Sequence, residues 1–186
     1  MADKIRLGLI GASVTGTWSS RSHLPAVRAS SDVELTAVCT TRADSAEAAR
    51  QAYGARLAFD DYRKMVASPE IDAVAVVVRV PSHYAPTKAA LEAGKHVYCE
   101  WPLGRTTAEA IELAALAKAT GLVTAVGLQA RVNPAVMHMK EQVEAGKLPV
   151  KNSARAFHTC SRWLMSVTKI VTLVISDILP PAASTR

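Results

Sequence analysis

Residues 5–16 of this chain read IRLGLIGASVTG, and this stretch decides the fold. A short apolar run leads into a turn that contains two glycines, which is the pattern of a strand that enters a glycine-rich turn before a helix. Dinucleotide-binding turns use three glycines, for the tight turn, for close approach to a pyrophosphate and for helix packing. Gly11 and Gly16 fill the first and third places, and Ser13 takes the second. Ser13 would hold a pyrophosphate slightly farther out or donate a hydrogen bond to it.

The residues after the turn supply the context that this motif needs. A segment at 23–29 can form a crossover helix and residues 34–39 read as a second strand, so a βαβ unit closes at the expected length. Strand and helix patterns then alternate to about residue 146. The alternation predicts an α/β fold with a doubly wound, mostly parallel sheet, that is, a Rossmann-type NAD(P)-binding domain over residues 1–148.

Local signals predict where several helices begin and end. Thr106 or Thr107 can cap a helix, and Glu109 is spaced to complete a capping box with Thr106. Gly121 is placed to end that helix. Earlier in the chain, Asp60 is interpreted as the N-terminal cap of a short helix that runs to Ala67.

The loop after the second strand predicts the cofactor. An acidic residue at this point would bind the ribose 2′-hydroxyl of NAD, but the chain has Thr40, Thr41 and Arg42. Hydroxyls and a guanidinium can bind a 2′-phosphate, which a carboxylate would repel. The sequence therefore favours NADP over NAD. The alternative interpretation is that Arg42 is a solvated residue at the start of a helix.

Several short motifs occur in an order and spacing that resemble the Gfo/Idh/MocA family of NAD(P)-dependent sugar oxidoreductases, from about residue 5 to residue 148. The motifs are the glycine turn, Asp61-Tyr62, IDAV at 71–74, AGKHV at 93–97, Glu100-x-Pro102 and Arg131-x-Asn133-Pro134. Within the family the chain is most similar to the branch of fungal galactose-regulon corepressors, which are nucleotide-binding transcription regulators. That narrower resemblance rests on Trp18, His23, Pro25, VPSHY at 80–84, Glu100-Trp101 and GLQAR at 127–131.

The motif at Glu100, Trp101 and Pro102 departs from the family pattern. Family dehydrogenases carry lysine between the glutamate and the proline, where the resemblance implies contact with a substrate hydroxyl and help in moving its proton. Trp101 has one indole donor and no group that titrates near neutral pH. No catalytic residue is therefore assigned. Trp101 could stack on a ring or close the site, or it could be an ordinary core or interface aromatic.

The family resemblance and the position of strand ends suggest further cofactor-binding residues. Pro81 and His83 follow a strand end, where open α/β sheets bind ligands, although His83 could equally cap the next helix. Glu100 also ends a strand and is a better candidate for the cofactor pocket than for a lone general base, since no partner is visible. Arg131 is interpreted as a phosphate or substrate contact, or as a solvent-facing residue.

Composition and charge also bear on nucleic-acid binding, metal sites, disulfides and the cellular compartment. The net charge is +6, but residues 151–186 hold five basic residues and one acidic residue and so supply most of it. The domain itself shows no basic stripe interleaved with aromatics, so direct nucleic-acid binding is not expected. Three widely spaced cysteines predict neither a metal site nor a disulfide framework. Together with the absence of a signal-peptide pattern at the N-terminus, they suggest a cytoplasmic or nuclear protein.

Residues 149–186 do not continue the family pattern. Relatives carry a second α/β domain here, which is essentially missing, so the segment is interpreted as a divergent tail, the remnant of a truncated second domain. The apolar run at 163–179 contains Lys169 and Asp177 and is shorter than a membrane span needs. The β-branched residues at 170–175 could add a strand to the sheet or remain exposed. Oligomers could form through this region.

Three functions follow as expectations. The first is a nucleotide-binding, non-catalytic transcription co-regulator that senses NAD(P) and contacts a protein partner, which Trp101 and the branch resemblance favour. The second is an NADP-dependent oxidoreductase that acts on a sugar or polyol. The third is an inactive truncated product with a folded cofactor domain.

Overall fold

A parallel sheet of six strands organises the protein, seen in a computed structural model that describes residues 4–15, 18–128 and 133–147. The strand order is β3-β2-β1-β4-β5-β6, and every neighbouring pair is parallel. The strands are β1 (Ile5–Ile10), β2 (Val33–Cys39), β3 (Leu57–Phe59), β4 (Ala73–Val76), β5 (His96–Glu100) and β6 (Thr124–Gly127). The predicted doubly wound Rossmann-type sheet is confirmed.

Helices connect the strands and cover both faces of the sheet. A single π-helical turn (Ser19–His23) leads into α1 (Leu24–Ala29), and a 3₁₀ turn (Val80–Ser82) leads into α4. The other helices are α2 (Ala43–Tyr53), α3 (Tyr62–Val66), α4 (Tyr84–Glu92), α5 (Thr107–Thr120) and α6 (Pro134–Glu144). Because the chain runs from β1 outward to β3 and then crosses back to β4, the winding direction reverses between β1 and β4. Ligands of such sheets bind in the crevice beyond the carboxyl ends of the strands at this reversal.

Two apolar clusters hold the layers together, one on each face of the sheet. Leu9 and Val38 are fully buried against α1 and α2, and Val74 and Val76 are fully buried against α3 and α4. Strands buried on both faces read as continuous apolar runs, which is why the sequence of the central strands shows no alternation. The central strands are thereby fixed, and so are the loops at their carboxyl ends.

Most of the predicted helix boundaries are confirmed. The Thr106 hydroxyl accepts a hydrogen bond from the Glu109 backbone N–H, and the Glu109 carboxylate accepts one from the Thr106 backbone N–H. The capping box is therefore complete. Gly121 ends α5 in the left-handed conformation. One cap differs from the prediction, because Asp61, and not Asp60, accepts a hydrogen bond from a backbone N–H at the start of α3. The Asp60 carboxylate instead pairs with Lys64 at 3.1 Å.

A membrane-spanning helix is not expected from the sequence, and the structure can be compared with that expectation only for the helices it describes. None of them has the length and apolar content that a membrane span requires. The apolar run at 163–179, the strand candidate at 170–175 and the rest of the predicted tail lie outside the described residues.

Candidate functional site

The glycine turn after β1 packs directly against the end of β4. Gly11 has a φ of +91°, and a Cβ at this residue would lie 2.1 Å from the carbonyl oxygen of Val77. Its N–H donates to the Cys39 carbonyl at 2.9 Å, and its carbonyl accepts from the Ser19 hydroxyl at 2.8 Å. Only glycine fits this position, so the predicted need for glycine in the tight turn has a structural basis.

The other predicted positions of the turn can be placed in part. The Ser13 carbonyl accepts a hydrogen bond from the Tyr53 hydroxyl at 2.6 Å, and the Ser13 hydroxyl lies 3.3 Å from that of Thr15. Ser13 is thus held by bonds to α2 and within the turn itself. Gly16 lies outside the described residues, and so does Arg131.

The loop after β2 is a closed, exposed turn. The Thr40 hydroxyl donates to the Arg42 carbonyl at 3.0 Å and lies 2.7 Å from the Ser45 hydroxyl. The Arg42 guanidinium donates to both carboxylate oxygens of Asp44, at 3.0 and 2.9 Å, and both side chains are 70% exposed. Arg42 is therefore exposed, and it already has an anionic partner. Thr41 is exposed beside it.

A cavity of about 520 Å³ opens beyond the ends of β4 and β5, next to the glycine turn. The predicted residues Pro81, His83, Glu100 and Trp101 all line it, although they lie in two separate segments of the chain. The remaining wall is formed by Trp18 and by residues 77–80. The structure thus brings together three of the predicted cofactor-binding residues, Pro81, His83 and Glu100, at the point where the winding of the sheet reverses.

Glu100 lies at the centre of a buried hydrogen-bond cluster. Its Oε1 is 2.5 Å from His23 Nε2 and accepts from Trp18 Nε1 at 3.0 Å and from the Tyr98 hydroxyl at 3.2 Å. Glu100 is only 7% exposed. Burial alone raises the pKa of this carboxyl, but the hydrogen bond and charge of His23, with the bonds from Trp18 and Tyr98, outweigh burial and hold the pKa below its usual range. Glu100 is therefore a paired carboxylate, unlike the lone group expected from the sequence.

The π-helical turn explains how two of these partners reach Glu100. Trp18 and His23 are five residues apart, and a π-helical turn, closed here by the Leu24 N–H to the Ser19 carbonyl, brings such residues to the same side. The branch resemblance included both residues without assigning them a role. Their spacing was the only sequence signal for this cluster.

His83 joins the two segments that line the cavity. Its Nδ1 is 2.7 Å from the Pro102 carbonyl oxygen and its Nε2 is 2.9 Å from the Val78 carbonyl oxygen, and the residue is 1% exposed. As the alternative expected, His83 occupies the N-cap position of α4, but its side chain makes no capping hydrogen bond. His83 instead crosslinks the end of β4 to the loop after β5.

Trp101 stands at the mouth of the cavity with 64% of its surface exposed. This exposure excludes the interpretation of Trp101 as a core aromatic. Its peptide bond to Pro102 is cis. An aromatic face, rather than an ammonium, thus borders the cavity at the position where the family resemblance implies lysine.

Arg79 is a cavity-lining residue that the sequence prediction missed. Its exposed side chain follows the end of β4, and within the described part of the chain no hydrogen bond or ion pair engages it. Gly11 contacts Val77 and Val78, so Arg79 follows the segment that packs on the glycine turn. The cavity therefore combines one available cation with a buried, paired carboxylate. Among the residues described, no cluster of three His, Cys, Asp or Glu side chains could hold a metal.

These features suit a dinucleotide, and comparisons with known proteins agree. The chain is 34% identical to the D-glucoside 3-dehydrogenase of Escherichia coli strain K12 over 158 residues, which cover 84% of this chain and 44% of the relative. It is 27% identical to the galactose/lactose metabolism regulatory protein GAL80 of Saccharomyces cerevisiae, over 82% of this chain and 37% of that protein. The chain thus spans less than half the length of these relatives.

A solved structure matches the fold as well. The 3-ketoreductase KijD10 from Actinomadura kijaniata, in complex with NADP, superposes with a TM-score of 0.70 and 28% identity over 77% of this chain and 45% of KijD10. The model of the oxidoreductase family with an NAD-binding Rossmann fold, GFO_IDH_MocA, matches residues 5–128. The chain accordingly belongs to this Gfo/Idh/MocA oxidoreductase family and contains its NAD(P)-binding Rossmann domain.

Proposed function

We propose that this chain binds NAD(P) as a non-catalytic, regulator-like domain that presents the bound nucleotide to a protein partner. The observation that carries the proposal is Trp101, exposed at the mouth of the cavity where the family resemblance implies a catalytic lysine. An indole cannot take up or release the proton of a substrate hydroxyl. The similarity to the regulatory protein GAL80 supports the same conclusion.

The nucleotide would lie across the glycine turn and the cavity. In this proposal Gly11 and Ser13 contact the pyrophosphate, and Pro81, His83 and Glu100 border the nicotinamide end. Thr40, Thr41 and Arg42 lie at the adenosine end and favour NADP over NAD, since a guanidinium can donate to a 2′-phosphate. Arg42→Ala should therefore weaken binding of NADP more than binding of NAD, and equal losses would contradict this assignment.

A thermal-unfolding scan of residues 1–186 with NADP, with NAD and without ligand tests the nucleotide site. A ligand at about 100 times its Kd stabilises the native state by about 2.7 kcal/mol. A cooperative transition that NADP raises more than NAD is the expected result. A transition that neither nucleotide shifts would contradict the proposal.

A second candidate function, oxidation of a sugar or polyol, is favoured by the Glu100–His23 pair. Oxidation of a hydroxyl sends a hydride from carbon to the nicotinamide and a proton from oxygen to a base. Glu100 lines the cavity and is joined to His23, so the pair could take up that proton without a lysine. The similarity to D-glucoside 3-dehydrogenase points in the same direction.

Sugar-dependent NADPH formation separates the two candidates. The non-catalytic proposal predicts no turnover by the unmodified chain and partial gain of turnover in Trp101→Lys. Turnover by the unmodified chain that Glu100→Gln abolishes, while nucleotide binding persists, would favour the oxidoreductase.

A further inference from the structure

We infer that Asp44 sets how strongly this domain distinguishes NADP from NAD, an inference that rests on the proposed nucleotide site. Arg42 Nε and Nη2 donate to Asp44 Oδ1 and Oδ2 at 3.0 and 2.9 Å. Two parallel N–H groups of the guanidinium thus bind one carboxylate, which is the two-point geometry that a phosphate uses. Asp44 thus occupies one of the two edges of Arg42 at which a 2′-phosphate could bind in this way, and its charge competes with that phosphate.

The position of this ion pair relative to the glycine turn supports the inference. The Cys39 carbonyl, at the end of β2, accepts hydrogen bonds from the N–H groups of Gly11 at 2.9 Å and of Ala12 at 3.3 Å. The loop that carries Arg42 and Asp44 begins one residue later. In dinucleotide-binding sheets this loop faces the ribose of the adenosine, where a 2′-phosphate is present or absent.

The neighbouring loop adds no uncompensated positive charge. The Thr40 N–H donates to the Phe59 carbonyl at 3.1 Å, which brings the start of α3 alongside. There Lys64 pairs with Asp60 at 3.1 Å, and Arg63 lies 3.6 Å from Asp61. Arg42, Arg63 and Lys64 therefore each have a carboxylate partner. A 2′-phosphate would meet a surface on which positive and negative charges are balanced.

Local structure holds the Asp44 carboxylate in place. Its Oδ1 also accepts from the Ser45 N–H at 2.7 Å in the first turn of α2, where the helix dipole favours a negative charge. The hydrogen bonds from Arg42 and then from the Ser45 backbone lower the pKa of Asp44. The carboxylate is consequently ionised at neutral pH and competes with a phosphate for Arg42.

Titration calorimetry of the full chain with NADP and with NAD tests the inference. Asp44→Asn removes the charge and should raise the ratio of NADP affinity to NAD affinity about fivefold, since the freed guanidinium can bind the phosphate. Glu47→Gln is the matched control, because it makes the same charge change on α2 and releases Arg50, paired at 2.6 Å, instead of Arg42. The control should change the ratio less than about twofold, because its cation, Arg50, lies about two helical turns beyond Arg42.

Repeating Asp44→Asn in an Arg42→Ala background shows whether Asp44 acts through Arg42. The ratio should then change less than about twofold, since no guanidinium remains to be released. An undiminished effect in that background, or an equal effect of Glu47→Gln, would overturn the inference. An unmodified chain that binds neither nucleotide contradicts the proposed function as well, whereas binding of both with an unchanged ratio in Asp44→Asn contradicts the inference alone.

Discussion

The two ends of the candidate site are built in opposite ways. At the proposed adenosine end, Arg42 and Asp44 form an ion pair that is mostly exposed to solvent. At the proposed nicotinamide end, Glu100 and His83 are buried, and each lies within hydrogen-bonding distance of more than one partner. Exposed ion pairs contribute little to stability, whereas breaking a buried one is costly. Substitutions at the first end should change cofactor preference, and those at the second end should change the stability of the domain.

The largest effect is expected from Glu100→Ala. The substitution leaves the buried His23 and the partly buried Trp18 and Tyr98 without their shared acceptor. The free energy of unfolding should fall by about 3 kcal/mol, as it does when one member of a buried ion pair is removed. Urea unfolding monitored by circular dichroism measures this loss.

Glu100→Gln is the control for that measurement, since its amide oxygen can still accept. Its loss should be clearly smaller than that of Glu100→Ala. If both substitutions left the unfolding midpoint unchanged, the contrast between a buried and an exposed end would be wrong.

The pH dependence of stability sharpens the same contrast. The pKa of Glu100 is lower in the folded protein than its ordinary value of 4.5. Its contribution is therefore present above about pH 4.5 and is lost as the pH falls through the folded-state pKa. The difference in free energy of unfolding between the unmodified chain and Glu100→Gln should shrink from about pH 6 to about pH 3. A difference that grows on acidification would contradict the pairing with His23.

A smaller effect is expected from Arg79→Ala, which removes the available cation of the cavity. Affinities for NAD and NADP should fall together, by about fivefold, because the pyrophosphate is common to both. The loss should diminish at high salt, since the side chain is exposed. Calorimetry at two ionic strengths measures this loss of affinity. Lys118→Ala is the control, because Lys118 is an exposed cation on α5, away from the cavity. A loss confined to NADP would place Arg79 at the wrong end of the nucleotide.

The smallest effect on stability is expected at the adenosine end. Asp44→Asn should leave the midpoint of urea unfolding unchanged, because the carboxylate and its partner remain hydrated in the folded protein. A midpoint that moved as far as that of Glu100→Ala would erase the distinction between the two ends.

Local signals account for most of what the sequence predicted correctly. The Thr106–Glu109 capping box and the left-handed Gly121 each depend on residues within a few positions of one another. The parallel sheet followed from the alternation of apolar segments. β3 escaped prediction because it is a three-residue edge strand, too short to show a period.

The candidate site could be predicted only in part, because some of its contacts join residues that are distant in the sequence. Pro81, His83 and Glu100 could be placed at the cavity because parallel strands bring their carboxyl ends to one edge of the sheet. The partners of Glu100 could not be predicted, since Trp18 and His23 lie about 80 residues away and reach it through a π-helical turn that has no distinctive residue pattern.

The crosslink made by His83 also bears on which positions can vary during evolution. Both of its partners are backbone carbonyls, those of Val78 and Pro102, which every amino acid supplies. The side chain at position 78 can therefore be exchanged without removing an acceptor, whereas position 83 needs an imidazole nitrogen that can donate to a carbonyl. Substitutions at position 83 should therefore be tolerated less well than substitutions at position 78.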